Sequence, residues 1–328
     1  MKAVASVCRV ALVRFLAALT IAVLPGAHAQ NPPTKAIEII VPYPPGASTD
    51  LIARLLQPQV SALLKHPVVV ENKGGAGGNI GADYVAKSTP DGYRLLLATN
   101  AITTINPHVS RNAGFDVFKD LAPVAKIANG PMGIAVRSDS AVATLADLIA
   151  LAKKEPGKLS YGTAGNGSPH HIIGELLNQQ AGISIVHVPY RGVGPALTDL
   201  MGGNIDVVVS TLAGLTPLAA GGKVRILGVA EAKRFEGAPD IPTIAELFPG
   251  FEASSWFGIY APAGTPAAMI DRLNAAFNTA IASQEVRTKL LANSLAPSTD
   301  TPEGFGNLTR SDFNRWGKLI RDRNIRAD

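Results

Sequence analysis

The chain has 328 residues, of which 47% are apolar, 17% charged and 5% aromatic, with 32 glycines, 24 prolines and a single cysteine. An apolar fraction of this size supports an ordinary core and excludes a disordered chain, and the length suits about two domains of roughly 150 residues each. One cysteine excludes a disulfide framework or a Cys-based zinc site, while the Gly and Pro content calls for many short elements joined by tight turns.

The formal charge of +5 is distorted by the first 29 residues. Lys2, Arg9 and Arg14 precede an uncharged run from Phe15 to Leu24, which Pro25 and Gly26 break before the small-residue pattern Ala27-His28-Ala29. This is the pattern of a secretory signal peptide cleaved after Ala29, and its apolar run is too short to span a membrane. Cleavage would remove three cations, no anions and Cys8, leaving 27 Lys+Arg against 25 Asp+Glu. A near-neutral, thiol-free exported chain gives no electrostatic ground for nucleic-acid binding.

Along the mature chain, short β-branched runs alternate with helical patterns. Ile37–Val41 reads as a strand and Ser48–Leu64 as a helix, with Ile52, Leu55, Leu56, Val60, Leu63 and Leu64 at helical spacing. Pro67–Glu71 and Tyr93–Thr99 read as strands around a short helix at Asn79–Ala86. A strand at Gly133–Val136 precedes a helix opening at Thr144, with Asp147 placed as in a capping box. Further strands are expected at Leu159–Gly162, Ile185–Val188, Val207–Ser210 and Val224–Val229, with helices between them. Pro266 opens a helix whose apolar stripe includes Met269, Leu273 and Phe277, and Thr301–Arg323 is a last helical stretch. Such alternation predicts an α/β protein with largely parallel sheets. No linker or internal repeat marks a domain boundary, which is compatible with a chain that crosses twice between two lobes.

In parallel α/β sheets, ligands bind at the carboxyl ends of strands, beside helix N-termini. Three such junctions are rich in small and polar residues. The first runs from Val41 through Tyr43, Pro44, Pro45, Gly46 and Ala47 to Ser48, Thr49 and Asp50. Its prolines stiffen it, and free N–H groups at the helix start attract anions; a plain capped turn would look the same. The second is Tyr161-Gly162-Thr163-Ala164-Gly165-Asn166-Gly167-Ser168-Pro169, whose small residues let backbone amides approach a ligand. The third spans Val188 to Pro195, where Tyr190 could cover a ligand and Arg191 could pair with a carboxylate, or stand as a surface side chain on a turn. Ser210 and Thr211 end a strand at the same sheet edge, and Asn100, directly after the third strand, is counted with this set.

Other motifs fail on inspection. Lys73–Gly81 resembles a dinucleotide loop, but Ile80 stands where the last glycine is required and no acidic residue ends the following strand. No P-loop and no G-x-S-x-G nucleophile elbow occurs. His171 and Glu175 are four apart on one helix face, which suits two metal ligands with His170 beside them or a third from afar such as His187, but an ordinary helix N-terminal His with an i,i+4 Glu partner is the preferred reading of the spacing. Trp256 reads either as a ligand-stacking residue or as core.

Taken together and in order, Val41–Gly46 with Asp50, Val70–Gly78, Pro90–Tyr93, Ser160–Ser168, Val188–Gly192, Trp256–Gly258 and Ala261–Pro266 resemble the Bug family, the extracytoplasmic solute-binding receptors of tripartite tricarboxylate transporters. The resemblance implies a type II-like, two-lobed periplasmic-binding-protein fold: two mostly parallel sheets with a ligand cleft between lobes. Lobe 1 would comprise residues 30–126 plus 233–328, and lobe 2 residues 127–232. It further implies a periplasmic, monomeric protein without cofactor, metal or catalysis. Its ligand would be a small carboxylate held by the first-strand loop and the Thr163–Ser168 loop, partly through water, and delivered to membrane permease subunits. Ala47 departs from the Gly-Gly that relatives often carry there, and His170 stands at a position that varies among them, where it would tune specificity. A sensor that signals without transport, or an exported metalloenzyme using His170, His171 and Glu175, are the alternative readings.

Overall fold

A computed structural model describes residues 35–110 and 113–326; the signal-peptide segment lies outside the described residues. Sheet A contains β1 (Ile37–Val41), β2 (Val68–Asn72), β3 (Arg94–Thr99) and β4 (Leu121–Gly130). It is completed by β10 (Ser255–Pro262) and β11 (Ala296–Pro297), in the order β11-β4-β10-β3-β1-β2. Sheet B contains β5 (Met132–Arg137), β6 (Ser160–Thr163), β7 (Val186–Pro189), β8 (Val207–Thr211) and β9 (Val224–Val229), in the order β7-β6-β8-β5-β9.

Each sheet has a parallel half, β2-β1-β3 in A and β7-β6-β8 in B. The remaining pairings are antiparallel. Both sheets are therefore mixed, whereas largely parallel sheets were expected. The physical reason is the double crossing: strands that carry the chain between sheets enter beside strands of opposite direction.

Alternating side chains put helices on both faces of each sheet. In sheet A, Ile37, Ile39 and Val41 pack with Ile52, Leu56 and Val60 of α1 (Ser48–Leu64) and with Leu273 and Phe277 of α7 (Ala267–Ala282). On the other face, Ile40 and Leu96 meet Ala82 and Val85 of α2 (Asn79–Ala86). In sheet B, Ile134, Val207 and Val209 pack with Leu148 of α3 (Leu145–Lys154) and with Ile173 and Leu177 of α4 (Pro169–Ala181). Ala135 and Val208 face Leu200 of α5 (Val193–Gly202) and Leu215 of α6 (Leu212–Ala220). The capping box expected at Thr144 and Asp147 is formed.

β4 and α8 (Gln284–Ala292) were not legible beforehand. The buried positions of β4 do not alternate, because its register with β10 shifts twice, between Phe257 and Gly258 and between Ile259 and Tyr260.

The chain passes from sheet A to sheet B at Pro131, the one residue between β4 and β5. On the return, Phe235, Ile244 and Phe251 still pack with residues of sheet B, and sheet A resumes at Ser255. By sheet membership, both passages lie later in the chain than 126/127 and 232/233. The last helix, α9 (Pro302–Asp322), belongs to neither side alone. Its first half buries Phe305 against Trp256 and Tyr260, while Trp316, Leu319 and Ile320 join the core of sheet B. Trp256 is thus core: it is 2% exposed, meets Phe305 edge to face, and its Nε1–H donates to Asp312 at 2.8 Å.

Glu231 ties the two passages together. Its Oε1 accepts the Met132 N–H at 3.3 Å, and its Oε2 is buried without a partner. Burial pushes this carboxyl up to about 7; the charge of Glu252 adds to the effect, and the N–H groups of Met132 and Glu231 and the Ser254 hydroxyl oppose it. A carboxyl raised on folding contributes stability that is present below its unfolded value and is lost as pH rises through the folded one. Glu231→Gln should therefore stay within about 1 kcal/mol of the wild type at pH 5 and exceed its stability at pH 8.5 by up to about 3 kcal/mol. Chemical denaturation at the two pH values checks this; a gap that does not change with pH would show that Glu231 does not titrate in this range.

Candidate functional site

Strand direction brings the expected loops to one place. In sheet A, β10 is antiparallel to β3 and β4 is antiparallel to β10, so β4 ends at the rim where β1 and β3 also end. In sheet B, β8 is parallel to β6 and antiparallel to β5, so β5 begins at the rim where β6 and β8 end. Because Pro131 alone joins β4 to β5, the two rims adjoin. The Tyr43–Asp50 loop and Asn100 border the rim of sheet A. The Thr163–Ser168 loop, Tyr190, Arg191, Ser210 and Thr211 border that of sheet B, as does Glu231, at the end of β9.

In the first loop, Gly46 has φ +87° and Ala47 has φ −71° and ψ 162°, so the β-carbon at position 47 is accommodated without strain. Ala47 offers no side-chain cap to α1, which leaves the N–H groups of Ser48, Thr49 and Asp50 facing the open helix end. Ser48 is exposed, as are Pro45 and Gly46. Thr49 is 2% exposed, and its hydroxyl has no partner.

Asp50, expected among the ligand contacts, is engaged within the fold. Its carboxylate accepts from the Gly46 N–H, from Asn72 Nδ2 and from Arg54 Nε, each at 3.0 Å. The Arg54 hydrogen bond leads the causes that hold it at about 2. Its work is to clamp the loop. Asn100 is likewise engaged: Nδ2 donates to Ser254 O, and Oδ1 accepts from Ser255 at 3.1 Å, fastening β3 to β10. The Tyr43 hydroxyl pairs with that of Thr99 at 3.0 Å, and its ring lies beside Gly78. A Cβ at Gly78, where φ is +98°, would come within 2.5 Å of Ile102 Cδ1, so this glycine of the rejected dinucleotide-like loop answers to packing.

On the opposite rim, Thr163 is buried, and its hydroxyl accepts the Gly165 N–H at 3.2 Å. The Gly167 N–H donates to His171 Nδ1 at 3.2 Å. The Ser168 N–H donates to Gly165 O at 3.3 Å, so three of the loop amides expected to face a ligand are used within the protein. Gly167 has φ +68°, and a Cβ there would lie 3.2 Å from Val109 Cγ2, a residue of the segment following β3. Ser168 caps α4, accepting from the His171 N–H at 3.3 Å, while Ala164 and Asn166 are partly exposed. The Tyr190 hydroxyl is committed to Asp199 at 2.6 Å and is pushed up to about 12, mainly by desolvation, which leaves its ring at the site. Arg191 is exposed and has no ion pair among the described residues. Ser210 is 1% exposed, and its hydroxyl is unpartnered, whereas Thr211 caps α6 by accepting the Gly214 N–H.

His170, in the first turn of α4, is 9% exposed, and neither ring nitrogen has a partner. The metal arrangement is not assembled: Glu175 accepts from the Tyr161 hydroxyl at 2.8 Å and from Arg323 Nε. Among the described residues, no three of His, Cys, Asp and Glu are grouped as metal ligands. Sequence reasoning missed Glu231 and Arg323, because neither stands in a motif and both are brought in by tertiary packing.

The chain matches the model of the tripartite tricarboxylate transporter family receptor over residues 52–325, and it belongs to that family of solute-binding receptors. It is similar to the protein BugT of Bordetella pertussis, at 35% identity over 88% of this chain and 90% of that one. Among solved structures it is similar to R. palustris Rpa4515 with adipate, at 34% identity, TM-score 0.76, and coverage of 90% and 99% of the two chains. It is also similar to MatC (Rpa3494) from Rhodopseudomonas palustris with bound malate, at 29% identity, TM-score 0.71, and coverage of 87% and 98%. No helix among the described residues is long and apolar enough to cross a membrane.

Burial holds the His170 imidazole down to about 4. A histidine lowered on folding contributes stability that is present above its unfolded value near 6.5 and is lost as pH falls toward the folded one. His170→Leu should flatten the loss of stability between pH 6.5 and 5, a difference of up to about 2 kcal/mol at pH 5. Urea titrations of both proteins at the two pH values test this, and parallel losses would show that His170 is not the titrating group.

Proposed function

We propose that this protein is a periplasmic receptor that captures a small organic acid through its carboxylate and presents it to the membrane permease subunits of a tripartite tricarboxylate-type transporter. The observation that carries the reading is a set of unsatisfied groups on adjoining rims. The uncapped start of α1 with the Thr49 hydroxyl borders sheet A, and the Ser210 hydroxyl and His170 border sheet B. Buried polar groups without partners cost about 1–3 kcal/mol each, so their presence on one edge argues for a ligand that satisfies them. Backbone N–H groups at a helix start favour an anion, and neutral hydroxyls orient it without adding charge. Adipate and malate in the related structures fit this chemistry.

The two lobes are organised around sheets A and B. A ligand touching both rims gains all its hydrogen bonds only when the lobes meet, so it selects the closed state. Closing also excludes water from the anion and strengthens each bond. A permease that distinguishes closed from open would then receive loaded receptor. Export through the N-terminal signal segment completes the reading.

The test is calorimetric titration of protein refolded free of endogenous ligand with mono-, di- and tricarboxylates, malate and adipate among them. Thr49→Val and Ser210→Ala remove the unpartnered hydroxyls with little change of volume. Each should weaken binding by about tenfold, equivalent to one charge-assisted hydrogen bond, while the melting temperature stays level or rises. Unchanged affinity in both variants would move the ligand away from these rims, and no binding of any acid would overturn the carboxylate reading.

A further inference from the structure

α4 begins with an unusual cap. Ser168 is the N-cap residue, and its hydroxyl accepts the His171 N–H at 3.3 Å. His171 occupies the third position of the helix and answers in the other direction: its Nδ1 accepts the Gly167 N–H at 3.2 Å. This is the reciprocal logic of a capping box, in which the third helical residue is ordinarily Glu or Gln and its side chain returns a hydrogen bond to the start of the helix. Elsewhere in this chain the device uses an acid: Asp147 closes the box at Thr144, and Glu246 the one at Thr243. At α4 an imidazole stands in that place.

The difference is one of charge. The N–H donor fixes Nδ1 as an unprotonated acceptor, so the hydrogen of neutral His171 is on Nε2. The ring is stacked on His187 at 3.7 Å between centroids and 14° between planes, an arrangement that two cations would not share. Desolvation by burial holds His171 below the usual imidazole range, with Glu175 and Arg323 the charged groups that act on it. Tyr161 also lies beside the stacked pair, with its hydroxyl on Glu175. The Glu175 charge is itself covered by Arg323 from the end of α9.

Resting on the reading of this rim as a carboxylate site, we infer that His171 is a positioning residue that caps α4 with a neutral acceptor. It holds the Gly165–Ser168 turn in shape while leaving the positive end of the helix dipole uncancelled for an anionic ligand. An acid in its place would supply the same hydrogen bond and spend the favourable field at the helix start on itself.

The pair His171→Gln and His171→Glu separates shape from charge, because the two side chains differ only in ionisation. Hydrogen exchange of the Gly167 amide in the ligand-free proteins reads the cap, and calorimetric titration with malate and adipate reads the field. Both variants should protect Gly167 better than His171→Ala does. His171→Gln should bind within about threefold of the wild type, and His171→Glu should lose about tenfold or more, with part of the loss removed by raised salt at the solvent-facing end. Should His171→Glu fail to fold, the shorter pair His171→Asn and His171→Asp gives the same comparison.

Equal affinity of the neutral and acidic variants overturns the inference and leaves the receptor reading intact. Unaltered Gly167 exchange in His171→Ala overturns the capping role. A wild type that binds neither acid overturns the carboxylate reading instead.

Discussion

The architecture depends on a single short passage: Pro131 is all that separates the last residue of β4 from the first of β5. With so little chain between them, the end of one strand and the start of the next must be neighbours. Strand directions then compel the carboxyl ends of both parallel halves to adjoin. Every loop that follows those strands, and every helix that starts from them, is delivered to the same edge. Two N-terminal helix ends and their hydroxyls thus meet there without any long-range motif to say so, as general rules for α/β sheets anticipate for a ligand crevice.

Around that edge the fold keeps most of its charged groups occupied, the exposed Arg191 apart. Asp50 is answered by Arg54, Asn72 and a backbone N–H, Glu175 by Arg323 and Tyr161, and the Tyr190 hydroxyl by Asp199. What remains unpaired is mostly neutral: the α1 amides, the hydroxyls of Thr49 and Ser210, and the imidazole of His170. An anion bound by dipoles needs no full countercharge beneath it, and a site of this kind can exclude water without stranding a buried cation.

The lobes are not independent bodies joined by string. α9 contributes Phe305 to the core around β10 and Trp316 to the core of sheet B, so it spans both. Its end reaches Glu175, and through Tyr161 that carboxylate adjoins the histidine pair behind the Thr163–Ser168 loop. Glu231 bonds across the two passages beside Pro131. Any relative motion of the lobes must respect these ties, which couples the shape of the loop to the position of the last helix.

Much of this was legible in the sequence. Periodicity located α1 at Ser48–Leu64, because apolar spacing along a helix is a local property, and the short helix α2 at Asn79–Ala86 was legible as well. The loops at Gly46 and at Gly165–Ser168 announced themselves through residues that tolerate positive φ or cap a helix. The resemblance of ordered motifs pointed to the family. The irregular β4 escaped notice, since its bulges are set by β10, more than a hundred residues away. The sequence also could not say that Asp50 and Asn100 would be consumed by the fold, that Gly167 would hand its amide to His171, or that one carboxylate oxygen of Glu231 would be buried without a partner at the crossing. Those outcomes depend on which partner tertiary packing places within about 3 Å of each polar atom, and a hydrogen bond is decided at that range. The order of residues determined the elements and the supply of donors; the crossing at Pro131 decided which donors were left free and gathered them on one edge.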